Sequence, residues 1–124
     1  MTTVAAESDS IANPEPFRIL LFVETSGPGG AESVVLSLAR GYKKRGIDVH
    51  ALLLSKDQLD LELVKEGITC HFIHSARRFD VSLPFRIAKL LRQYDIDLLH
   101  SHLLDSNFYG ALAARLARVQ HVAT

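Results

Sequence analysis

Two short segments of this 124-residue chain have residue types and spacings that could do chemistry. The first reads SGPGGAE at residues 26–32 and joins an apolar run to a run with helical periodicity. A glycine-rich turn between a strand and a helix aims the free backbone N–H groups of the helix at a ligand above the sheet, where they favour an anion. The segment therefore indicates phosphate binding.

The turn does not match the two best-known phosphate motifs. A dinucleotide-binding fingerprint needs a small residue where this chain has Glu32, and an acid near the end of the second strand, where it has residues 54–56, LSK. A P-loop needs Lys followed by Ser or Thr directly after Gly30, and Ala31 follows instead. The alternative to phosphate binding is that the glycines only form a tight turn, with Glu32 complementing the helix dipole.

The second segment is residues 97–107, DLLHSHLLDSN. Residues two apart on a strand point the same way, so His100 and His102 could face one ligand. We expect no metal there, because only Asp105 is near enough in sequence to be a further ligand. Imidazole donates, accepts or changes charge near neutral pH, so His102 could act in a cleft opposite the phosphate-binding turn. The alternatives are structural roles for both histidines, and capping of the next helix by Asp105 and Ser106.

Alternating apolar and amphipathic runs must position these segments. The alternation indicates an α/β fold with right-handed crossovers, a parallel sheet and helices on both faces. In such sheets a ligand binds beyond the carboxyl ends of the strands, where strand order reverses. We therefore expect the loops after the first and fourth strands to share one cleft. The predicted strands are 17–23, 47–54, 68–73, 96–100 and 119–124, and the predicted helices are 31–45, 58–65, 83–94 and 108–117.

Composition limits the class of protein. Fourteen basic and fourteen acidic residues cancel, so total charge gives no reason to expect a nucleic-acid partner, and 48% hydrophobic residues are ordinary for one globular domain. The single cysteine, Cys70, excludes an intramolecular disulfide and fits a reducing compartment, with a buried thiol expected. Residues 1–16 resemble neither a secretory signal nor a transit peptide, so we expect a flexible tail and a cytoplasmic protein.

One stretch of the chain is locally basic. Solvated surface charge is the ordinary explanation for such a cluster. The alternative is a surface that meets anionic lipid or a phosphorylated acceptor, which would place the protein peripherally at the inner face of the membrane. No apolar run is long enough to span a bilayer. The basic residues, which have only Asp80 against them, are Arg77, Arg78, Arg86, Lys89 and Arg92.

The order of four short motifs resembles the N-terminal half of a family 4 glycosyltransferase. The motifs are GGAE at 29–32, DLLHSH at 97–102, NFYG at 107–110 and AARLA at 113–117, and the resemblance covers residues 17–124. It implies a GT-B architecture, in which two Rossmann-like domains face each other across a cleft. It also implies transfer of a sugar from a nucleotide-sugar to a lipid, saccharide or small-molecule acceptor, with retention of anomeric configuration and no bound metal.

The resemblance also assigns roles to residues. Gly29 and Gly30 match the turn whose backbone approaches the diphosphate of the donor. His102 matches a histidine beside the transferred sugar and the acceptor, and is the predicted catalytic residue. Glu32 matches the glutamate of the GGAE motif, although dipole complementation is a sufficient explanation for it. His100 and Asn107 are further candidate contacts to the acceptor or the loop.

The chain departs from the family pattern because the donor-binding C-terminal domain has no counterpart after Thr124. We therefore expect a truncated chain that is inactive alone, marginally stable, and prone to self-association through an unpaired strand edge. The alternative function is a non-catalytic Rossmann-like module that binds a phosphorylated ligand or a protein partner.

Overall fold

The computed structural model describes residues 16–23, 30–54, 58–74, 80–102 and 104–123. Within these ranges strands and helices alternate along the chain, as the sequence predicts. The predicted N-terminal tail lies outside the described residues except for Pro16. The elements are β1 (Arg18–Val23), α1 (Gly30–Lys44), β2 (Asp48–Leu53), α2 (Gln58–Lys65), β3 (Thr69–Phe72), α3 (Leu83–Gln93), β4 (Leu98–His102), α4 (Leu104–Ala117) and β5 (Gln120–Ala123).

The described strands form one parallel sheet in the order β3-β2-β1-β4-β5. The chain moves outward from β1 to β3, then crosses to the other side of β1, so strand order reverses between β1 and β4. Val23, the last residue of β1, pairs with His102, the last residue of β4. The predicted α/β class is therefore confirmed, and β1 and β4 end side by side. The loops that were predicted to share a cleft, residues 24–29 and 103, lie outside the described residues.

Both faces of the sheet are covered, and β1 shows why. Its residues alternate between two hydrophobic clusters, because successive side chains on a strand point to opposite faces. Ile19 and Leu21 pack on the side of α1 and α2, whereas Leu20 and Phe22 pack on the side of α3 and α4. Each of these four side chains is at most 2% exposed. A continuous apolar strand is what burial on both faces requires.

Element boundaries differ from the predicted ones near the second segment. β4 begins at Leu98, because the Ile96 N–H bonds to the Leu91 carbonyl and closes the end of α3. It continues to His102, two residues farther than predicted. α4 begins at Leu104, before its apolar periodicity starts at Phe108. Asp105 and Ser106 therefore lie inside the first turn of α4 and not before it, and their side chains, which were predicted to cap the helix, lie outside the described residues.

Gly46 follows α1 with a φ of 82°, in the left-handed conformation that is common for a glycine at the end of a helix. Cys70, predicted to be buried, is only partly buried on the short strand β3, where burial raises the pKa of its thiol. None of the helices in the described ranges is both long and apolar enough to cross a bilayer.

Candidate functional site

The candidate site lies at the carboxyl edge of the sheet, where β1 and β4 are neighbours. His100 pairs with Leu21 and His102 with Val23, so both histidines project toward the side of the sheet that α1 covers. α1 begins at Gly30, and the N-terminus of a helix that follows a parallel strand lies at the same edge. The turn residue Gly29 lies outside the described residues. The edge thus combines a helix N-terminus with two imidazoles.

The two histidines lie together, as their spacing predicts. Their rings stack with centroids 4.5 Å apart and planes inclined by 28°. His100 is 6% exposed and its Nδ1 lies 3.1 Å from the Tyr42 hydroxyl on α1. Burial lowers the pKa of His100, and His121 lowers it further. The contact with Tyr42 supports a structural role for His100, which fits its deeper position in the strand.

His102 differs from His100 in having an unused polar atom. Its side chain is 4% exposed, and its Nε2 is buried without a hydrogen-bond partner among the described residues. Buried polar atoms nearly always have a partner, so this nitrogen is available to a ligand. Burial lowers the pKa of His102, and the neighbouring His100 lowers it further. The imidazole is therefore neutral at pH 7, when it can donate or accept a hydrogen bond.

Ser101, between the two histidines, points to the opposite face and fixes the end of β4. Its hydroxyl is fully buried and donates to Oδ1 of Asn107 at 2.6 Å. Nε2 of His121 on β5 lies 2.6 Å from the same oxygen. A Cβ on Gly110 would lie 3.1 Å from His121 Nε2 and from Ser101 Cβ, so a side chain there would require these neighbours to shift by a few tenths of an ångström.

This network gives Asn107 a structural contact. It also includes two residues that the sequence analysis did not identify. Asn107, predicted as a contact for the acceptor or the loop, packs against Ser101 inside α4. Ser101 and His121 were not identified from the sequence, because a parallel register brings them together and nothing in their spacing shows it. Gly110 is the glycine of the NFYG motif, and it was the one feature of the sequence that could have indicated this close packing of α4 on β4.

Glu32 and the predicted absence of a metal ion are the two remaining predictions about the site. The Glu32 side chain lies outside the described residues, although its backbone belongs to α1. In the described part of the chain, no three His, Cys, Asp or Glu side chains are close enough together to hold a metal ion. The Asp105 side chain also lies outside that part.

A second histidine pair lies on β2 and β3, away from the candidate site. His50 Nδ1 is 2.8 Å from His71 Nε2, and the two rings are parallel within 3°. The Tyr94 ring packs against both imidazoles. Burial lowers the pKa of His71, and His50 lowers it further. Because these nitrogens already have partners, the pair lacks the unused atom that distinguishes His102.

The residues of the predicted basic cluster have different environments. Arg77 and Arg78 lie outside the described residues. Arg86 contacts Asp80 at 2.6 Å and donates to the His74 carbonyl at 2.7 Å, so it holds the start of α3. The two remaining cations of the cluster are exposed on α3.

Comparison with known proteins identifies the family of this fold. The sequence model of Glycosyltransferase Family 4 matches residues 28–124. Staphylococcus aureus CapH, a capsular polysaccharide biosynthesis glycosyltransferase, is 36% identical over 78 residues, which are 61% of this chain and 21% of CapH.

Solved structures show the same fold. A glycosyltransferase from Rickettsia africae superposes with a TM-score of 0.75 at 21% identity, over 87% of this chain and 29% of that chain. Anabaena HepE, solved in complex with UDP-glucose, superposes with a TM-score of 0.69 at 20% identity, over 86% of this chain and 28% of that chain. The chain spans between a fifth and a third of the length of these relatives. It belongs to glycosyltransferase family 4.

Proposed function

We propose that this chain is the acceptor-side, N-terminal part of a retaining glycosyltransferase. The enzyme would transfer a sugar from a nucleotide-sugar donor to a lipid, saccharide or small-molecule acceptor. Family membership supports sugar transfer, and the HepE complex with UDP-glucose supports a nucleotide-sugar donor. The role of CapH in capsular polysaccharide biosynthesis favours a saccharide acceptor. The observation that carries the proposal is the unpartnered, buried Nε2 of His102 at the edge where β1 ends.

The β1–α1 turn is proposed to receive the diphosphate of the donor through the backbone of Gly29 and Gly30. Negative charge builds up on the diphosphate as the glycosidic bond breaks. Free N–H groups and the positive end of the α1 dipole stabilise that charge without having to reorganise. This contribution comes from backbone groups, so we propose that transfer proceeds without a bound metal.

His102 is proposed to bind the transferred sugar next to the acceptor. Because its pKa is lowered, the imidazole is neutral and can donate an Nε2 hydrogen bond to a sugar hydroxyl or accept one from it. Stacking on His100 and the anchoring of Ser101 keep the ring at the end of β4. A bound sugar held in one orientation reaches the transition state with less loss of freedom.

The isolated chain is proposed to be inactive. It covers 21% of CapH and 29% of the Rickettsia africae enzyme, so most of each relative has no counterpart in these residues. We propose that the nucleotide is held mainly by a second Rossmann-like domain and that the two domains close over the donor. Glu32 would stabilise the turn, and His100 and Asn107 would hold the site in place.

The product anomer tests the proposed reaction. The protein containing this chain in its natural reading frame would be incubated with UDP-glucose and other nucleotide-sugars, and with saccharide or lipid acceptors. We expect release of nucleoside diphosphate that depends on the acceptor, and a product with the anomeric configuration of the donor by NMR. An inverted product would contradict retention. Nucleotide-sugar binding with no transfer to any acceptor would favour a non-catalytic binding module.

A further inference from the structure

The end of β4, from which His102 projects, is held differently on its two sides. On the β1 side, backbone pairing continues to the last residue, where His102 lies opposite Val23. On the β5 side, backbone pairing within the described residues ends one residue earlier, where Ser101 lies opposite Ala123. Side-chain contacts therefore decide how firmly the end of β4 is held on the β5 side.

His121 on β5 supplies such a contact. It pairs with Leu99 on β4, and residues two apart on a strand point the same way, so His121 and Ser101 share one face of the sheet. Nε2 of His121 lies 2.6 Å from the Ser101 hydroxyl oxygen. The Ser101 side chain is fully buried and the His121 ring is partly buried, so little water competes for this hydrogen bond.

The direction of the hydrogen bonds around Ser101 follows from the number of available protons. A serine hydroxyl has one proton and two lone pairs. Ser101 donates its proton to Oδ1 of Asn107, because an amide oxygen only accepts. Ser101 must then accept from His121, so Nε2 of His121 carries a proton. Burial lowers the pKa of His121, so the ring is neutral at pH 7 and this is its single N–H.

The Ser101 hydroxyl thus joins three elements, since Asn107 belongs to α4 and His121 to β5. Gly110, one helical turn after Asn107, lets α4 lie close to this hydroxyl, because a Cβ there would be 3.1 Å from His121 Nε2. Ser101 and His102 are consecutive residues that point to opposite faces of the sheet. Holding Ser101 on one face therefore fixes the backbone from which His102 projects on the other.

We propose that His121 is a positioning residue for His102. Its N–H donates to Ser101 on the face that α4 covers, and so holds the His102 imidazole in one direction at the carboxyl edge of the sheet. The inference rests on the proposed function, in which Nε2 of His102 binds the transferred sugar. Without the His121 donor, the end of β4 gains freedom, and the sugar meets Nε2 less often in a reactive orientation.

Histidine NMR tests this positioning whether or not sugar is transferred. In the protein containing this chain in its natural reading frame, isotope-labelled histidines report which ring nitrogen carries a proton, and we expect Nε2 for His121. The His102 ring signals should shift and broaden in His121→Ala. They should stay near their parental positions in His121→Gln, whose amide N–H can reach the position of Nε2. Both variants lack the His121 ring, so a difference between them isolates the hydrogen bond. A His121 ring protonated only at Nδ1, or unchanged His102 signals in His121→Ala, would overturn the inference.

The rate of sugar transfer measures the consequence for the reaction. We expect His121→Ala to lower kcat by about tenfold to 100-fold while KM stays within about threefold, and His121→Gln to recover most of the loss. His71→Ala is the matched control, because it also removes a partly buried imidazole that contacts another side chain, at 2.8 Å, but lies away from the site. Circular dichroism checks that each variant is folded.

The outcomes separate the inference from the proposed function. Parental kcat in His121→Ala, or an equal loss of kcat in His71→Ala, would overturn the inference and leave the proposed function standing. No transfer by the parent protein would overturn the proposed function, and the NMR comparison would still decide whether His121 positions His102.

Discussion

The imidazole of His102 stacks on that of His100, with ring centroids 4.5 Å apart. The two histidines differ in their hydrogen bonding. Nδ1 of His100 contacts the Tyr42 hydroxyl, whereas Nε2 of His102 has no hydrogen-bond partner in the described residues. Of the two histidines, His100 therefore has a structural contact, and His102 has a nitrogen available to a ligand. Burial, and after it the neighbouring His100, lowers the pKa of His102.

Stability should fall as the solution becomes acidic. Burial lowers the folded-state pKa of four histidines below 6.5, so between those values and 6.5 the unfolded chain binds more protons than the folded chain. The free energy of unfolding therefore rises with pH, and the stability present above pH 6.5 is lost as pH falls through 6.5 toward the folded-state pKa values. The four histidines are His71, His100, His102 and His121.

Urea unfolding at pH 7.5 and pH 5.5 measures this effect. We expect a lower midpoint at pH 5.5, and a smaller difference between the two pH values in the variant His100→Asn, which has one fewer of these histidines. A midpoint that is the same at both pH values, or higher at pH 5.5, would show that these imidazoles do not resist protonation in the folded protein.

A side chain at Gly110 should destabilise the protein. In Gly110→Ala the new Cβ would lie 3.1 Å from Ser101 Cβ and from His121 Nε2, both held in the network behind β4. We expect a loss of about 1–3 kcal/mol in the free energy of unfolding, because overpacking forces neighbours to shift. Gly41→Ala on α1 is the control, since nothing lies within 4 Å of its Cβ, and should stabilise by about 0.5–1 kcal/mol. Equal effects of the two substitutions would contradict the close approach of α4.

Removing the buried Ser101 hydroxyl should lower the free energy of unfolding more than removing the hydroxyl of an exposed serine. Ser101→Ala leaves Asn107 and His121 without the oxygen that each contacts at 2.6 Å. Losing a buried partner costs about 1–3 kcal/mol. Ser37→Ala on the exposed side of α1 should change stability by no more than about 0.5 kcal/mol. Denaturant unfolding of both variants measures the difference, and a neutral Ser101→Ala would mean that the network does not hold β4.

The order of strands and helices could be predicted from sequence because it depends on local periodicity. Apolar runs such as Arg18–Val23 and the glycine after α1 are visible within a few residues. The shared direction of His100 and His102 also followed from their spacing of two, although the predicted strand ended at His100 and β4 continues to His102. These features need only short-range patterns and the rules of parallel sheets.

Features that depend on contacts between distant residues could not be predicted. The Ser101–His121 contact joins two strands through a register that no local pattern encodes, and the His50–His71 pair arises in the same way. The polar first turn of α4 was missed because helical periodicity begins only at Phe108.

The most direct test of the central claim is the rate of sugar transfer after removal of the His102 imidazole. In the protein containing this chain in its natural reading frame, His102→Ala should lower kcat by about 100-fold or more. His102→Gln, whose amide can reach the position of Nε2, should recover part of that loss. His71→Ala is the control, since His71 also has a pKa lowered by burial but lies away from the site, and it should retain near-parental kcat. Unchanged transfer by His102→Ala, with all variants folded by circular dichroism, would contradict the account.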